Sequence, residues 1–210
     1  MNITTAPNFY TGTSGLLLPV RNKFFYPEEY KNRSRLCYYS SLMNSIEINS
    51  SFYKIPMAST VERWASEVSA DFKFTFKLFR EITHQKKLAF DPSIMTHFME
   101  VIGSVGGKKG SLLVQFPPSV TILNIQQIRH LAICLRENDP CSEWNTSFEF
   151  RHKSLYDHEI YHVLEGLDIG IVIHDKSPAN TPIEEKDQSF VMLGFMVRMA
   201  IIAEHTQIIF

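Results

Sequence analysis

The sequence predicts an α/β fold, a parallel sheet with helices packed outside it, either as a TIM-like (β/α) barrel or as an open doubly wound sheet. Three observations carry this. Short apolar runs of strand length alternate with amphipathic runs of helical spacing along the chain. Several strand candidates are continuously apolar, as strands covered on both faces are. No Gly-rich phosphate loop follows the first strand, which weighs against the dinucleotide-binding version of the open sheet.

Each element has its own signal. Asn8–Thr13 reads as a strand ending at the turn GTSG. Glu28–Leu42 carries apolar residues near helical spacing, and Asn44–Asn49 (NSIEIN) alternates as a strand does. Ser59-Thr-Val-Glu62 has the form of a capping box and predicts a helix through Val68. Phe72–Leu78 (FKFTFKL) is a period-two strand with Phe72, Phe74 and Phe76 on one face. Asp91-Pro92 places a cap before a proline at the first helical position, so a helix runs to about Val105. Ser111–Phe116 is an apolar strand stopped by Pro117-Pro118, and Thr121 starts a helix to about Glu137. Asn145–Phe150 is a strand, Tyr156–Leu164 a helix, Ile169–Ile173 (IGIVI) an apolar strand, and Ser189–Leu193 begins another.

Composition narrows the function classes. The chain has 210 residues, 44% hydrophobic and 20% charged, with a net charge of −1. That length suits one core, and that charge supplies no bulk attraction to nucleic acid or acidic lipid. Cys37, Cys134 and Cys141 are too few and too scattered for a disulfide framework or a zinc site, which suits a reducing cytoplasm. No signal-peptide pattern opens the chain, and no apolar run reaches the roughly 18 residues of a membrane span. A cytoplasmic protein is expected.

The informative feature is where ionisable groups fall. Glu47 and Asn49 end one predicted strand, and Lys77 ends the next, with Thr83 and His84 in its loop. Gln115 ends the following strand; Glu149, Arg151 and His152 end another; Asp175 follows the IGIVI strand. In a parallel barrel these ends open on one face, where active sites are built. Each residue also has a plain structural role: Lys77 pairing with Glu47, Arg151 pairing with Glu149, Gln115 satisfying backbone before Pro117-Pro118, Asp175 capping. Repetition at the same end of successive strands outweighs those roles. Phe52, Tyr53 and Trp64 read as core or pocket wall. Lys86 and Lys87 beside His84 favour an anionic ligand. His158 and His162 have a metal-compatible spacing on a helix, but without an H-E-x-x-H pattern they read as a solvated face. Lys108 and Lys109 read as a polar loop.

With these residues assembled, the sequence resembles the family catalogued as domain of unknown function 72. The matching stretches include GTSG at Gly12–Gly15, FYP at Phe25–Pro27, IEINSSFYKIP at Ile46–Pro56 and ERWASEVSADFKFTFKL at Glu62–Leu78. ITH at Ile82–His84, LLVQFPPS at Leu112–Ser119, FEFRHKSLY at Phe148–Tyr156 and IVIHD at Ile171–Asp175 follow in order. The resemblance implies a TIM-like barrel with no established reaction, and pocket residues Glu47, Asn49, Lys77, His84, Gln115, Glu149, Arg151 and Asp175. Leu16 and Val20 stand where the family usually carries tryptophan.

The resemblance runs from about Asn8 to Leu193, a single barrel-like domain of residues 8–193, and leaves 194–210 as a tail outside it. The family continues with Arg-Phe-His-Gly and a Gly/Asn/Tyr-rich loop. Synonymous codons for Gly194 to Phe210, read one base earlier, can spell that loop. The expectation is a frameshift near Leu193. It implies a barrel lacking its closing strand and helices, with unpaired edges, poor solubility and little activity.

Function follows as expectation. Glu47, Lys77, Glu149, Arg151 and Asp175 are the catalytic candidates; Asn49, Tyr53, His84, Gln115 and His152 are the substrate-binding candidates. Carboxylates beside Lys and Arg suit acid/base chemistry on a small anionic, phosphate-bearing or sugar substrate. No metal is implied, and the sequence specifies no cofactor. The alternatives are a non-catalytic ligand- or nucleic-acid-binding module, the latter without support from net charge, and a nonfunctional truncated fragment. The reaction and the oligomeric state are not specified.

Overall fold

The computed structural model describes residues 9–182 and 191–194. Five strands form one parallel sheet: β1 (Ser45–Ile48), β2 (Lys73–Lys77), β3 (Lys109–Gln115), β4 (Asn145–Glu149) and β5 (Gly170–Ile171). Their spatial order is their chain order, β1-β2-β3-β4-β5. A doubly wound sheet reverses direction at a switch point, whereas a barrel wall does not. The sheet is therefore an arc of TIM-barrel-like wall. Beyond β5, β6 (Ile173–His174) pairs in parallel with β7 (Leu193–Gly194). Among the described residues no pairing closes the arc into a barrel.

The helices are α1 (Arg35–Tyr39), α2 (Ala58–Ser66), α3 (Arg80–Thr83), α4 (Pro92–Gly103), α5 (Ile125–Asn138) and α6 (His158–Glu165). α2 packs on α4, α4 on α5 and α5 on α6, a row that follows the strands. Between sheet and helices lies the core. Phe72, Phe74, Phe76, Phe116, Phe148 and Phe150 are all fully buried. Phe74 meets Phe72 edge-on at 5.2 Å and Phe116 meets Phe148 at 5.1 Å between ring centroids. Each buried phenylalanine contributes about 1.5–3 kcal/mol from apolar burial alone, and favourable ring pairs add about 0.5–1.5 kcal/mol.

Several expected elements are re-cut by local chemistry. The predicted helix Glu28–Leu42 is broken into a short 3-10 turn, Glu28–Tyr30, and α1, because the Ser34 hydroxyl accepts from Cys37 N at 3.0 Å and starts a new helix. The predicted capping box at Ser59 does not cap: α2 begins at Ala58, with Met57 extended before it and no side-chain cap. That helix stops at Ser66 rather than Val68. Its end is held by Lys108, whose ammonium donates to Ala65 O and, at 2.8 Å, to Val68 O. Asp91 caps α4 as expected, accepting from Ser93 N at 2.9 Å. Thr121 caps a 3-10 turn, Ile122–Asn124, that leads into α5. α6 begins at His158 under Asp157, and Tyr156 turns inward instead. The IGIVI run is divided between two ladders: Val172 N donates to Phe148 O at 2.9 Å, and Ile173 N to Met192 O at 2.9 Å. Residues 189 and 190 of the last predicted strand, Asn8 of the first, and the tail after Gly194 lie outside the described residues.

The predicted first strand is a partial ladder beside β1. Ser45 N donates to Thr11 O and Glu47 N to Thr13 O, both at 3.1 Å, and Gly15 N donates to Glu47 O at 2.9 Å. One rung is a side chain. The Tyr39 hydroxyl accepts from Thr13 N at 2.7 Å and donates to Ser45 O at 3.0 Å. Gly12 is needed because a Cβ there would lie 2.1 Å from Ser45 O. Tyr39→Phe leaves a half-buried N–H and C=O unpaired and should lose about 1–3 kcal/mol of stability. Urea unfolding followed by circular dichroism measures this, and an unchanged midpoint would show that the rung is dispensable.

Candidate functional site

The register of the strands decides what faces the mouth. Parallel partners share a face, and residues two apart on a strand share a face. Glu47 is opposite Thr75, Lys77 opposite Leu113, and Gln115 opposite Glu149. Glu47, Lys77, Gln115 and Glu149 therefore lie on one side of the sheet. Ile46, Phe74, Phe76, Leu112, Val114 and Phe148 lie on the other, in the helix-side core. Below the charged layer the inner face carries small hydroxyl residues, Thr75, Ser111 and Ser147, all buried.

Glu47 is fixed from the N-terminal ladder. Asn49 donates its amide to Ser14 Oγ, which donates to Glu47 Oε1 at 2.7 Å. Burial raises the Glu47 carboxyl above the ordinary carboxylate range; the Ser14 hydrogen bond and the Lys77 charge pull it back, and Glu149 pushes it up. Lys77 does not pair with Glu47, for among the described residues it makes no salt bridge. Its ammonium stands 4.6 Å from the centre of the Phe52 ring. Burial lowers its pKa, Glu149 and Glu47 oppose this, and Arg151 and Lys176 add to it.

Gln115 does not serve the backbone before the prolines: its amide donates to Glu149 Oε1 at 2.9 Å. Arg151 forms a salt bridge with that same oxygen, while its other terminal nitrogen, Nη1, is shielded from solvent and has no hydrogen-bond partner among the described residues. His84 sits at the rim with its ring edge-on to Phe52 at 4.9 Å and Nδ1 2.8 Å from Thr83 Oγ1. Partial burial, then the charges of Lys77 and Arg80, lower its pKa, so the imidazole is neutral at neutral pH.

A cavity of about 190 Å³ opens beside this cluster, lined by His84, Gln115, Arg151, Lys176 and the Pro117-Pro118 turn among others. It does not reach Glu47, Lys77 or Glu149. The loop carrying Lys176 is anchored by the Tyr156 hydroxyl, 2.9 Å from Ala179 O, 3.1 Å from Thr181 Oγ1 and 3.2 Å from His174 Nε2. His174 in turn accepts from Lys176 N at Nδ1, 3.2 Å away.

The remaining candidates have different surroundings. Tyr53 is 68% exposed, its ring perpendicular to that of Phe52 with centroids 5.0 Å apart. The His152 ring caps the turn Lys153–Leu155, accepting from Ser154 N at 3.2 Å. Asp175 is exposed on the loop after β6, ahead of Lys176. His158 and His162 are exposed on α6, as expected of a solvated helix face. Conversely, Ser14 and Lys176 were not singled out from sequence. Ser14 lay inside a turn motif, and only its position across from Glu47 gives it a role. Lys176 had one signal, its place directly after Asp175.

A parallel barrel wall with charged side chains gathered at its C-terminal strand ends defines a TIM-barrel-like α/β protein with a polar mouth. The chain belongs to the family described as protein of unknown function DUF72, whose model matches residues 10–207. It is similar to the UPF0759 protein YecE of Escherichia coli (strain K12), with 25% identity over 118 residues, 56% of this chain and 42% of that protein. The UPF0759 protein YunF of Bacillus subtilis (strain 168) is 26% identical over 149 residues, 65% of this chain and 49% of that one. The chain thus spans about half the length of these curated relatives. A crystal structure of a DUF72 family protein from Enterococcus faecalis V583 superposes with a TM-score of 0.63 at 22% identity, covering 80% of this chain and 66% of that one. Another from Thermotoga maritima MSB8 gives 0.63 at 24% identity, over 91% and 75%. These structures support the fold. Among the described residues no helix is long and apolar enough to cross a membrane.

The raised Glu47 carboxyl has a consequence for stability. Between the unfolded and folded pKa values the folded state keeps a proton that the unfolded state releases, so stability falls as pH rises through that window. Above it the buried carboxylate carries its full penalty. Glu47→Gln keeps the acceptor for Ser14 and should melt higher than the parent at neutral pH, with the gap shrinking on acidification. Calorimetry at the two pH values reads both, and a pH-independent gap would mean the carboxyl is not perturbed.

Proposed function

We propose that the mouth is an active site for acid/base chemistry on a small anionic substrate, phosphate-bearing or sugar-derived. The observation that carries this reading is Arg151. One of its nitrogens is committed to Glu149, the other is shielded from solvent with no hydrogen-bond partner among the described residues, and the side chain lines the cavity. Leaving a charged donor unsatisfied costs about 1–3 kcal/mol or more, a cost an anionic ligand would remove. Lys176 and neutral His84 line the same cavity and add positive charge and a hydrogen-bonding ring. Glu47 and Lys77, displaced in opposite directions from their ordinary pKa values and therefore toward each other, are the groups best suited to exchange protons. Glu149, held by Gln115 and Arg151, is a fixed carboxylate that stabilises developing positive charge on Lys77 or on substrate.

A non-catalytic binding module is the second reading, and one observation favours it: the cavity is lined by the anion-holding groups but not by Glu47 or Lys77. The two readings share the anion and differ in turnover. Because the chain spans half of its relatives, the activity of a whole family member is part of the same proposal.

Titration calorimetry with inorganic phosphate tests the shared part. Arg151→Met should weaken binding by roughly 10- to 100-fold, the equivalent of losing a charge-assisted hydrogen bond, while Glu149→Gln should retain it. Equal affinity in Arg151→Met and the parent would refute the anion site. In a screen of phosphorylated sugars and phosphoesters, turnover lost in Glu149→Gln with binding kept marks catalysis. Binding without turnover across the screen supports the module.

A further inference from the structure

Within the mouth, Glu149 and Arg151 neutralise each other and Glu47 is held by Ser14. Lys77 has neither kind of partner. Among the described residues its ammonium makes no salt bridge and no side-chain hydrogen bond, and its neighbour is the face of Phe52. Yet its backbone is firmly placed: Ser51 Oγ donates to either Ile48 O at 2.6 Å or Lys77 O at 2.7 Å, tying the ends of β1 and β2 together. A structural lysine is held by a counter-ion. A lysine with a fixed stem, an unbound head and carboxylates on both flanks is arranged for reaction.

We propose that Lys77 is a nucleophile that condenses with the carbonyl of a small aldehyde or ketone bearing an anionic group, with Arg151 holding that group and Glu47 supplying the proton for dehydration. This rests on the reading of the mouth as an anion-binding acid/base site and names its substrate class. The ammonium first releases one proton to solvent. The Nζ lone pair then attacks the carbonyl carbon, a C–N bond forms, and the π pair moves to oxygen. The oxygen takes up the proton that nitrogen loses, giving a carbinolamine. Ser14 donates to Oε1 of Glu47, which leaves Oε2 as the oxygen that carries the proton when the carboxyl is protonated. Transfer of that proton to the hydroxyl lets it leave as water, and the nitrogen lone pair closes the C=N bond. The proton released at the start restores Glu47. Overall, one carbonyl and one ammonium give one protonated imine and one water, with no oxidant or reductant. Lowering of the Lys77 pKa by burial and by Arg151 and Lys176 raises the neutral amine fraction that the first step needs. Arg151 and Lys176 line the cavity, and both are close enough for their charges to act on Lys77, so an anionic group held there brings its carbonyl into the neighbourhood of the amine.

The test uses the full chain with dihydroxyacetone phosphate or pyruvate and cyanoborohydride, followed by peptide mapping. Expected is a reduced adduct on the peptide containing Lys77, formed at least 10-fold faster than on the exposed Lys86, Lys87 and Lys176. Inorganic phosphate should slow it, and Lys77→Met, which keeps the stem packed, should abolish it. The comparison among lysines is made within the parent protein, so it holds even where a variant folds badly. Uniform labelling of the lysines, or an adduct unchanged in Lys77→Met, overturns the inference. Arg151-dependent phosphate binding with no trapping at Lys77 overturns it too and leaves the anion site standing. No phosphate binding and no trapping removes both.

Discussion

The fold rests on a phase constraint. In parallel strands that pair register by register, side chains alternate between two faces, and neighbouring strands must agree on which face is which. Here the shared phase places Ile46, Phe74, Phe76, Leu112, Val114 and Phe148 against the helices and Glu47, Lys77, Gln115 and Glu149 on the opposite side. A slip of one residue in β2 would push Lys77 among fully buried phenylalanines and expose Phe74 and Phe76. The first change strands a charge in an apolar core, which costs several kcal/mol, and the second forfeits the burial that holds the layer together. The aromatic core and the polar mouth are thus two readings of a single register.

Electrostatics in the mouth divides into a closed half and an open half. Gln115, Glu149 and Arg151 form a compact group in which opposite charges meet directly. Glu47 and Lys77 are desolvated and lack an ionic partner of their own among the described residues. A fold selected for stability alone would fill such positions with apolar side chains or pair them. Retaining two perturbed groups side by side at the strand ends is the pattern of sites that trade stability for chemistry.

Much of this was legible in the sequence because it depends on short-range periodicity. FKFTFKL announced both its buried aromatic face and its lysine, and the polar residues at successive strand ends announced the mouth. What depended on distant partners was hidden. Ser59 had the form of a cap, but the extended Met57 starts α2 earlier, and Lys108, forty residues on, sets where it stops. His152 looked like a ligand group until its ring was found capping the next turn. Gln115 looked like a backbone partner until the register brought Glu149 beside it. Ser14 and Lys176 carry no periodic signal, and only the assembled strands bring them to the mouth. The frameshift expected near Leu193 concerns residues that, apart from Gly194, lie outside the described structure, and the family match itself extends to residue 207.

The tyrosine hydroxyl set between Thr13 and Ser45 links events that are far apart in the chain. The N-terminal segment joins the sheet partly through α1, which follows it in sequence, so it cannot dock fully until that helix is seated. Ser14, on the same segment, fixes the orientation of the Glu47 carboxyl. Loosening a helix on the outside of the wall would therefore be felt as a change in acidity at its opposite end, making a distal packing residue a silent tuner of the Glu47 carboxyl.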